Sequence, residues 1–388
     1  MYKIKTYNKI ARRGLDLFES KNFKVDDNES APDAIVLRSY KLQPADLPDN
    51  LIAIGRAGAG VNNIPVSECT KRGICVFNTP GANANAVKEL VIAGLLLGSR
   101  KIVQGIQALE GVEDKSDIAK AAEKIKKQFA GPEIKGKTIG IIGLGAIGVL
   151  VAEAASDLGM KVIGYDPYLS VENAWRIPNH VSQAADLDEM LPRLDYLSLH
   201  IPVVDTTRNF INTGLLSKMK DGVRIVNFAR GGLVNADDLA EALNTGKAAA
   251  YVTDFADAKL MENKNVVCIP HLGASTPEAE NNCATMACSQ IKDYLLNGNI
   301  VNSVNFPDTS VGVKKEGESR LTIIHKNKPK MLGAFTDAIG DEDLNISDLS
   351  NNSRDETAYT LIDVNVEPSA VLIEKLQHIE GVFGLRVV

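Results

Sequence analysis

Short apolar runs of β type alternate with amphipathic, helix-forming stretches along most of this chain. Between residues 2 and 80 the runs YKIKTY, AIVLRS, LIAIGRAG and ICVFNTP are brief and bounded by glycine, proline or charge, which predicts strands. Strands separated by helices predict a parallel sheet. From Lys137 to about residue 275 the alternation repeats, with KTIGIIG, KVIGYD, YLSLHI, RIVNFA, AAAYVTD and NVVCIPH as strands. Residues 84–100 (ANAVKELVIAGLLLGSR) read as one helix, apolar on nearly all sides and so expected to be buried. The charged stretch 112–131 is expected to be helical up to Gly131-Pro132. Residues 276–300 read as a second long helix that returns the chain to the first domain.

Beyond it the pattern changes. Residues 303–318 mix Pro, Gly and charge and predict a linker. The last seventy or so residues then read strand–helix–strand–strand–helix–strand, the ferredoxin-like order. Met331, Leu332, Phe335, Ala338 and Ile339 form the apolar stripe of its first helix. The expected fold class is therefore α/β: two Rossmann-like, doubly wound parallel-sheet domains plus a C-terminal ferredoxin-like α+β domain. The expected boundaries are 1–97 with 280–304 for a lid domain, 98–279 for a dinucleotide-binding domain and 316–388 for the C-terminal domain.

Composition narrows the function classes. The net charge of −6 is spread along 388 residues, which argues against nucleic acid or an anionic membrane as the main partner. The longest apolar run, Leu90–Leu97, is far short of the roughly 20 residues that a spanning helix needs. MYKIKTYNKI lacks the character of a secretory signal, so a cytoplasmic protein is expected. Cys69, Cys75, Cys268, Cys283 and Cys288 form no CxxC pair and no zinc spacing, so free thiols and no metal site are expected.

The sharpest motif is Gly143-Leu144-Gly145-Ala146-Ile147-Gly148, a GxGxxG between a hydrophobic strand and an Ala-rich helix. Gly143 permits the tight turn, Gly145 lets backbone approach a pyrophosphate, and Gly148 allows close packing of the helix. The helix N-terminus presents free N–H groups and a positive dipole end. Asp166, 18 residues beyond Gly148, ends the next strand. It is expected to accept the adenosine ribose hydroxyls and to repel a 2′-phosphate, so NAD is expected over NADP.

Two more strand ends carry unusual polar groups: Arg230 in NFARGG and His271 in PHLGAST. In a doubly wound sheet, ligands bind at the carboxyl ends of strands. Oxidation of a 2-hydroxy acid needs a base for the hydroxyl proton and a cation for the carboxylate. Histidine titrates near neutral pH, and arginine clamps a carboxylate through two parallel hydrogen bonds.

These segments, with HIPVVDTTRNFI (200–211) and NFARGGLV (227–234), resemble the D-isomer-specific 2-hydroxyacid dehydrogenase family over about residues 30–305. The resemblance implies that Arg230 binds the substrate carboxylate and that His271 is the acid/base. It places the cofactor contacts on Gly145, Ala146, Ile147, Asp166, His200, Thr206, Ala229, Asp254 and Gly273. One departure stands out. The family sets a glutamate about five residues beyond the aspartate that corresponds to Asp254, to orient the histidine. Here Lys259 occupies that place, and Asp257, Glu262 or no residue at all is left for the role.

Within the family, GRAGAG (55–60) resembles the substrate loop of the phosphoglycerate-oxidising branch. This implies D-3-phosphoglycerate as substrate, with Arg56 at its phosphate and glycines such as Gly58 offering backbone N–H groups. The C-terminal stretch resembles an ACT domain, an amino-acid-sensing module. That implies L-serine as an effector held by His325, Asn327 and Asn345 between paired modules, and a homodimer or homotetramer. Lys330 stands where that module usually has glycine. Two other readings share the motifs: another D-2-hydroxyacid dehydrogenase, such as a hydroxypyruvate or glyoxylate reductase, and a non-enzymatic NAD-sensing protein like the C-terminal-binding corepressors.

Overall fold

The computed structural model describes residues 1–388, with only the backbone of residue 172. The chain divides into two compact units, residues 1–83 with 280–388 and residues 84–279.

In the first unit, β1 (Tyr2–Tyr7), β2 (Phe23–Val25), β3 (Ala34–Leu37), β4 (Ala53–Arg56) and β5 (Cys75–Phe77) form a parallel sheet in the order β2-β1-β3-β4-β5. This is the doubly wound order 2-1-3-4-5. Ile4, Val36, Ala53 and Phe77 pack against Ala284, Ala287, Ile291 and Tyr294 of the helix Pro277–Asn297. Gly55 permits that approach, since a Cβ there would lie 2.9 Å from Ile291 Cγ1. β2 was not expected from the sequence: its three residues include one buried apolar side chain, too little for a periodic signal.

The second unit holds β6 (Thr138–Ile142), β7 (Lys161–Tyr165), β8 (Ser182–Gln183), β9 (Tyr196–Leu199), β10 (Val223–Asn227), β11 (Ala248–Thr253) and β12 (Val266–Cys268), all parallel. The sheet runs β12-β11-β10-β9-β6-β7-β8. Numbered within the unit from β8, this is 3-2-1-4-5-6-7, the dinucleotide-binding order extended by one strand. The strands are buried on both faces, as parallel sheets require: β9 and β6 are almost wholly inaccessible. The helix Ala84–Arg100 packs on this sheet, with Gly94 set against Phe228 and Val226. It buries Val87, Val91 and Leu95 but leaves Leu96 41% exposed, so its burial is one-sided. Within 112–131 the α-helix covers Ile118–Ile125, N-capped by Asp117, and a 3₁₀ turn follows.

The last part of the chain joins the first unit. β13 (Ser319–Lys326), β14 (Ile346–Arg354), β15 (Thr357–Val364) and β16 (Val382–Val387) form an antiparallel sheet in the order β14-β15-β13-β16. Leu321, Ile323, Ile362 and Val364 face the helices Met331–Gly340 and Ala370–Gln377. By the two-residue period of a strand, the alternate residues Ile324, Tyr359 and Leu361 join the core of the parallel-sheet region instead. Tyr359 donates its hydroxyl to Gly298 O at 2.7 Å, and Arg386 lies 4.4 Å from the Tyr294 ring centre. Arg320, with no exposed surface, pairs with Asp363 and donates to Asn297 O and Gly312 O.

The expected linker is partly built into the core. Ser303, Asn305, Phe306 and Thr309 are buried, and the Asn305 side chain receives Val76 N and donates to Ile74 O along the edge strand β5. A side-chain amide imitating a peptide group leaves no periodic trace in a sequence.

Candidate active site

Six strands of the seven-stranded sheet end level with one another. The register aligns Tyr165, Ile142, Leu199, Asn227, Thr253 and Cys268 in a row across β7, β6, β9, β10, β11 and β12. Within one to three residues after each of them comes a residue marked out from the sequence: Asp166, Gly143, His200, Arg230, Asp254 and His271. The break in strand order lies between β6 and β9, the topological switch point where doubly wound sheets bind ligands.

The glycine loop has the geometry its spacing demands. Gly143 has φ of 92°, and a Cβ there would lie 2.5 Å from His200 O. A Cβ on Gly148 would lie 1.9 Å from Gly143 O, whereas one on Gly145 would meet nothing within 4 Å. Gly145 therefore faces open space at the start of the helix Ala146–Asp157, and no side chain caps that terminus. Open backbone and uncapped N–H groups fit a dinucleotide pyrophosphate. Asp166 accepts Leu144 N at 2.8 Å and Tyr168 N at 2.9 Å, which aims its carboxylate beside the loop with lone pairs to spare for a ribose. The next two positions, Pro167 and Tyr168, bring no cation.

Gly148→Ala tests this packing. The new methyl meets a backbone oxygen, so the helix must move off the sheet. The variant is expected to lose about 1–3 kcal/mol of stability and to bind NADH more weakly. Thermal unfolding and an NADH fluorescence titration measure both; unchanged values in both would contradict the close helix–strand contact.

His200 Nε2 meets Ser198 Oγ at 2.9 Å, and burial pushes the imidazole down to about 4, so it is neutral at pH 7. Thr206 lies exposed in the turn after Val204. The β10 loop is shaped by Asn227, a buried side chain whose sequence signal was no more than a polar residue inside a strand. Its Oδ1 accepts Ala229 N and Arg230 N, and its Nδ2 donates to Arg230 O and to the Tyr251 hydroxyl. The Arg230 side chain is exposed and donates to Ala229 O. Thr253 Oγ1 donates to Asn227 O and accepts Phe255 N, which ties the ends of β10 and β11 together. His271 is exposed, and its ring meets the Phe255 ring edge-on at 4.9 Å. Asp254 is 4% exposed, and its Oδ2 lies 3.5 Å from where a Cβ on Gly273 would sit. The structure thus brings Arg230, Asp254, His271 and Gly273 to neighbouring strand ends.

The residues considered in place of the family glutamate are otherwise engaged. Asp257 caps the short helix Ala258–Met261 through Lys259 N and Leu260 N. Lys259 pairs with Asp237. Glu262 lines a cavity with Asn244, Asn263 and Lys264. Among the described residues, no group of three His, Cys, Asp or Glu side chains is placed to hold a metal ion.

In the first unit, Arg56 ends β4 and donates from Nε to Arg38 O at 3.1 Å. Gly58 has φ of 153°, and a Cβ there would fall 1.9 Å from Arg56 Nη1. In the C-terminal sheet, His325 is buried, with Nδ1 against Lys326 O, Nε2 against Thr360 Oγ1, and its ring edge-on to Phe335. Burial lowers its pKa. Asn327 donates to Asp355 O. Asn345 is exposed, and its backbone N–H donates to Asn365 Oδ1. Because Lys326 lies opposite Thr357 while Ile346 lies opposite Val364, Asn345 and the pair His325 and Asn327 are at opposite ends of the sheet. Lys330 has φ of 71°, so the lysine adopts the left-handed turn that a glycine would take there.

Comparison with known proteins agrees with this geometry. Residues 99–273 match the family model described as D-isomer specific 2-hydroxyacid dehydrogenase, NAD binding domain. A D-3-phosphoglycerate dehydrogenase of Haemophilus influenzae is 33% identical over 349 residues, 87% of this chain and 81% of that one. The chain belongs to the D-isomer-specific 2-hydroxyacid dehydrogenase family. The like-named protein of Methanocaldococcus jannaschii is 38% identical over 73% of this chain, and the match spans about half of its length, 54%. Among solved structures, an NAD⁺-bound 3-phosphoglycerate dehydrogenase of Entamoeba histolytica matches with a TM-score of 0.62 at 27% identity, covering 78% of this chain and 98% of that one. The seven-stranded unit of this family member is its NAD-binding domain, and no helix among the described residues is long and apolar enough to cross a membrane.

Proposed function

We propose that the chain is an NAD-dependent D-3-phosphoglycerate dehydrogenase, which oxidises D-3-phosphoglycerate to 3-phosphohydroxypyruvate, the opening step toward L-serine. The observation that carries this reading is the single row of strand ends that holds the glycine loop, Arg230 and His271 together. NAD, held by the 143–148 loop and Asp166, supplies the acceptor for the C2 hydride. Arg230 clamps the substrate carboxylate, which orients C2. His271 takes the hydroxyl proton at its ring nitrogen and returns one in the reverse direction. Arg56 and the backbone around Gly58 receive the phosphate.

The test follows NADH formation with D-3-phosphoglycerate, and NADH loss with 3-phosphohydroxypyruvate. Activity confined to glyoxylate or hydroxypyruvate would replace this reading with a reductase, and cofactor binding without turnover of any hydroxy acid would remove the enzyme. Arg230→Lys is expected to lower kcat/KM about 10–100-fold, because a lysine keeps the charge but loses one of two charge-assisted hydrogen bonds. Full activity in that variant would refute the clamp.

The same reading includes a homodimer or homotetramer with L-serine as effector, in a reducing cytoplasm. Support comes from three facts. All five cysteines are free. β14 is hydrogen-bonded along one edge only. His325 and Asn327 lie too far along the sheet from Asn345 to share one ligand within a chain. Sedimentation velocity and the forward assay with added serine check it: a monomer unaffected by serine would count against both.

A further inference from the structure

We propose that a cavity between β16 and the parallel-sheet region of the first unit binds a short-chain monocarboxylate, with the Arg386 guanidinium as its anchor. The inference is independent of the roles given to Arg230 and His271.

The two-residue period of the C-terminal sheet builds one wall of this cavity. Thr322 lies directly opposite Arg386, and Ile324 opposite Gly384. All four line a cavity of about 150 Å³, and Gly384 brings no side chain to fill it. Leu51, Ile52 and Arg72 of the parallel-sheet region line the other side. The space holds roughly five waters at about 30 Å³ each, which suits a ligand of a few carbons and excludes a dinucleotide.

Three observations point to a carboxylate. First, Arg386 is half-buried, and the groups that act on its charge are phenols. Its Nη2 donates to Tyr294 O at 3.1 Å, and the guanidinium stands 4.4 Å from the Tyr294 ring centre. Burial pushes the Tyr294 hydroxyl up to about 12 and raises Tyr359 well above its ordinary value, so both are uncharged at pH 7. A ring face attracts a cation, yet among the described residues Arg386 forms no ion pair. A charge drawn out of water without a partner is unfavourable, so the site favours an anion.

Second, the charges around the cavity call for one negative charge. The lining holds two guanidinium groups, Arg72 and Arg386, and one carboxylate, Asp49. Arg72 meets Asp49 at 3.2 Å and donates to Leu47 O and Pro48 O. Its donors are committed, which leaves Arg386 as the cation to be neutralised.

Third, the walls are mixed. Leu51, Ile52 and Ile324 offer apolar surface to a short stem, while a guanidinium takes a carboxylate through two parallel hydrogen bonds. An inorganic anion would leave that apolar surface uncovered. A ligand seated here touches β16 on one side and residues 49–52 and 72–73 on the other. It therefore fastens the C-terminal sheet to the parallel-sheet region.

The test titrates the full chain with sodium propionate at constant ionic strength, followed by saturation-transfer NMR of the propionate methyl and by thermal unfolding. The wild type is expected to bind with a Kd on the order of 1 mM, and its unfolding temperature should rise with propionate concentration. Arg386→Gln is expected to weaken binding about 10–100-fold, because it removes charge-assisted hydrogen bonds. If that variant does not fold, Arg386→Lys keeps the cation, loses the two-point fork, and should weaken binding about 10-fold. Arg230→Lys, which alters the other carboxylate clamp, is expected to leave this binding unchanged. Loss of the signal in Arg230→Lys with retention in the Arg386 variant would place the propionate in the active site and overturn the proposal. Binding of inorganic phosphate but not of propionate would overturn it too, as would a propionate titration without a saturable signal. No step requires turnover, so the outcome is separate from that of the dehydrogenase assay.

Discussion

His271→Ala is expected to lower turnover about 10²–10⁴-fold, the range that one positioned proton-transfer group supplies, while NADH still binds. The reason lies in how the site is divided. The glycine loop and Asp166 follow β6 and β7, whereas His271 follows β12 at the other side of the sheet. Its ring touches Phe255 and is exposed, so its removal leaves no buried cavity and no unsatisfied partner in the core. The cost should therefore fall on kcat, with unchanged thermal unfolding and an NADH dissociation constant within a few-fold of wild type. If kcat stayed within a factor of three of wild type, the acid/base would have to be another group. If turnover and NADH affinity fell together, the residue would be a cofactor contact.

Arg320→Met is expected to destabilise the first unit by about 3–5 kcal/mol, the usual cost of stranding one partner of a buried ion pair. Arg320 has no exposed surface, and its guanidinium makes two bonds to Asp363 and two to backbone carbonyls, Asn297 O and Gly312 O. The methionine fills similar volume but leaves the Asp363 carboxylate in a dry interior. Those carbonyls belong to the end of the return helix and to the connector that follows it. The substitution should thus loosen the attachment of the C-terminal sheet as well as the sheet itself. The double variant Arg320→Met/Asp363→Leu should recover most of the loss, because an apolar pair of similar size needs no desolvation of charge. Urea unfolding of the three proteins measures this. A single variant as stable as wild type would mean that solvent reaches the pair, and a double variant no better than the single would place the cost in the lost carbonyl bonds.

Much of the architecture was legible in one dimension. Strands β1, β3 to β7 and β9 to β12, and all six elements of the C-terminal domain, were visible because burial on one or both faces imposes a local period. Edge strands β2 and β8 were not, because two or three partly polar residues carry no period. The C-terminal sheet offers a subtler case. TAYTLIDV is buried nearly throughout because helices cover one of its faces and the parallel-sheet region covers the other. The strand was readable, but the identity of its second cover was not.

The chemistry divides along the same line. The glycine turn, the acid at the end of the following strand, and the arginine and histidine at later strand ends were readable from local order, because each depends on short-range backbone geometry and on which end of a parallel strand points to the ligand. The pairings arose only on folding: Arg320 with Asp363 at 43 residues' separation, Lys259 with Asp237 at 22, and Asn305 along the edge of β5. Charge and hydrogen-bonding capacity are properties of single residues, but their worth depends on distance and on the water removed around them. Both of those quantities come into being when remote segments pack.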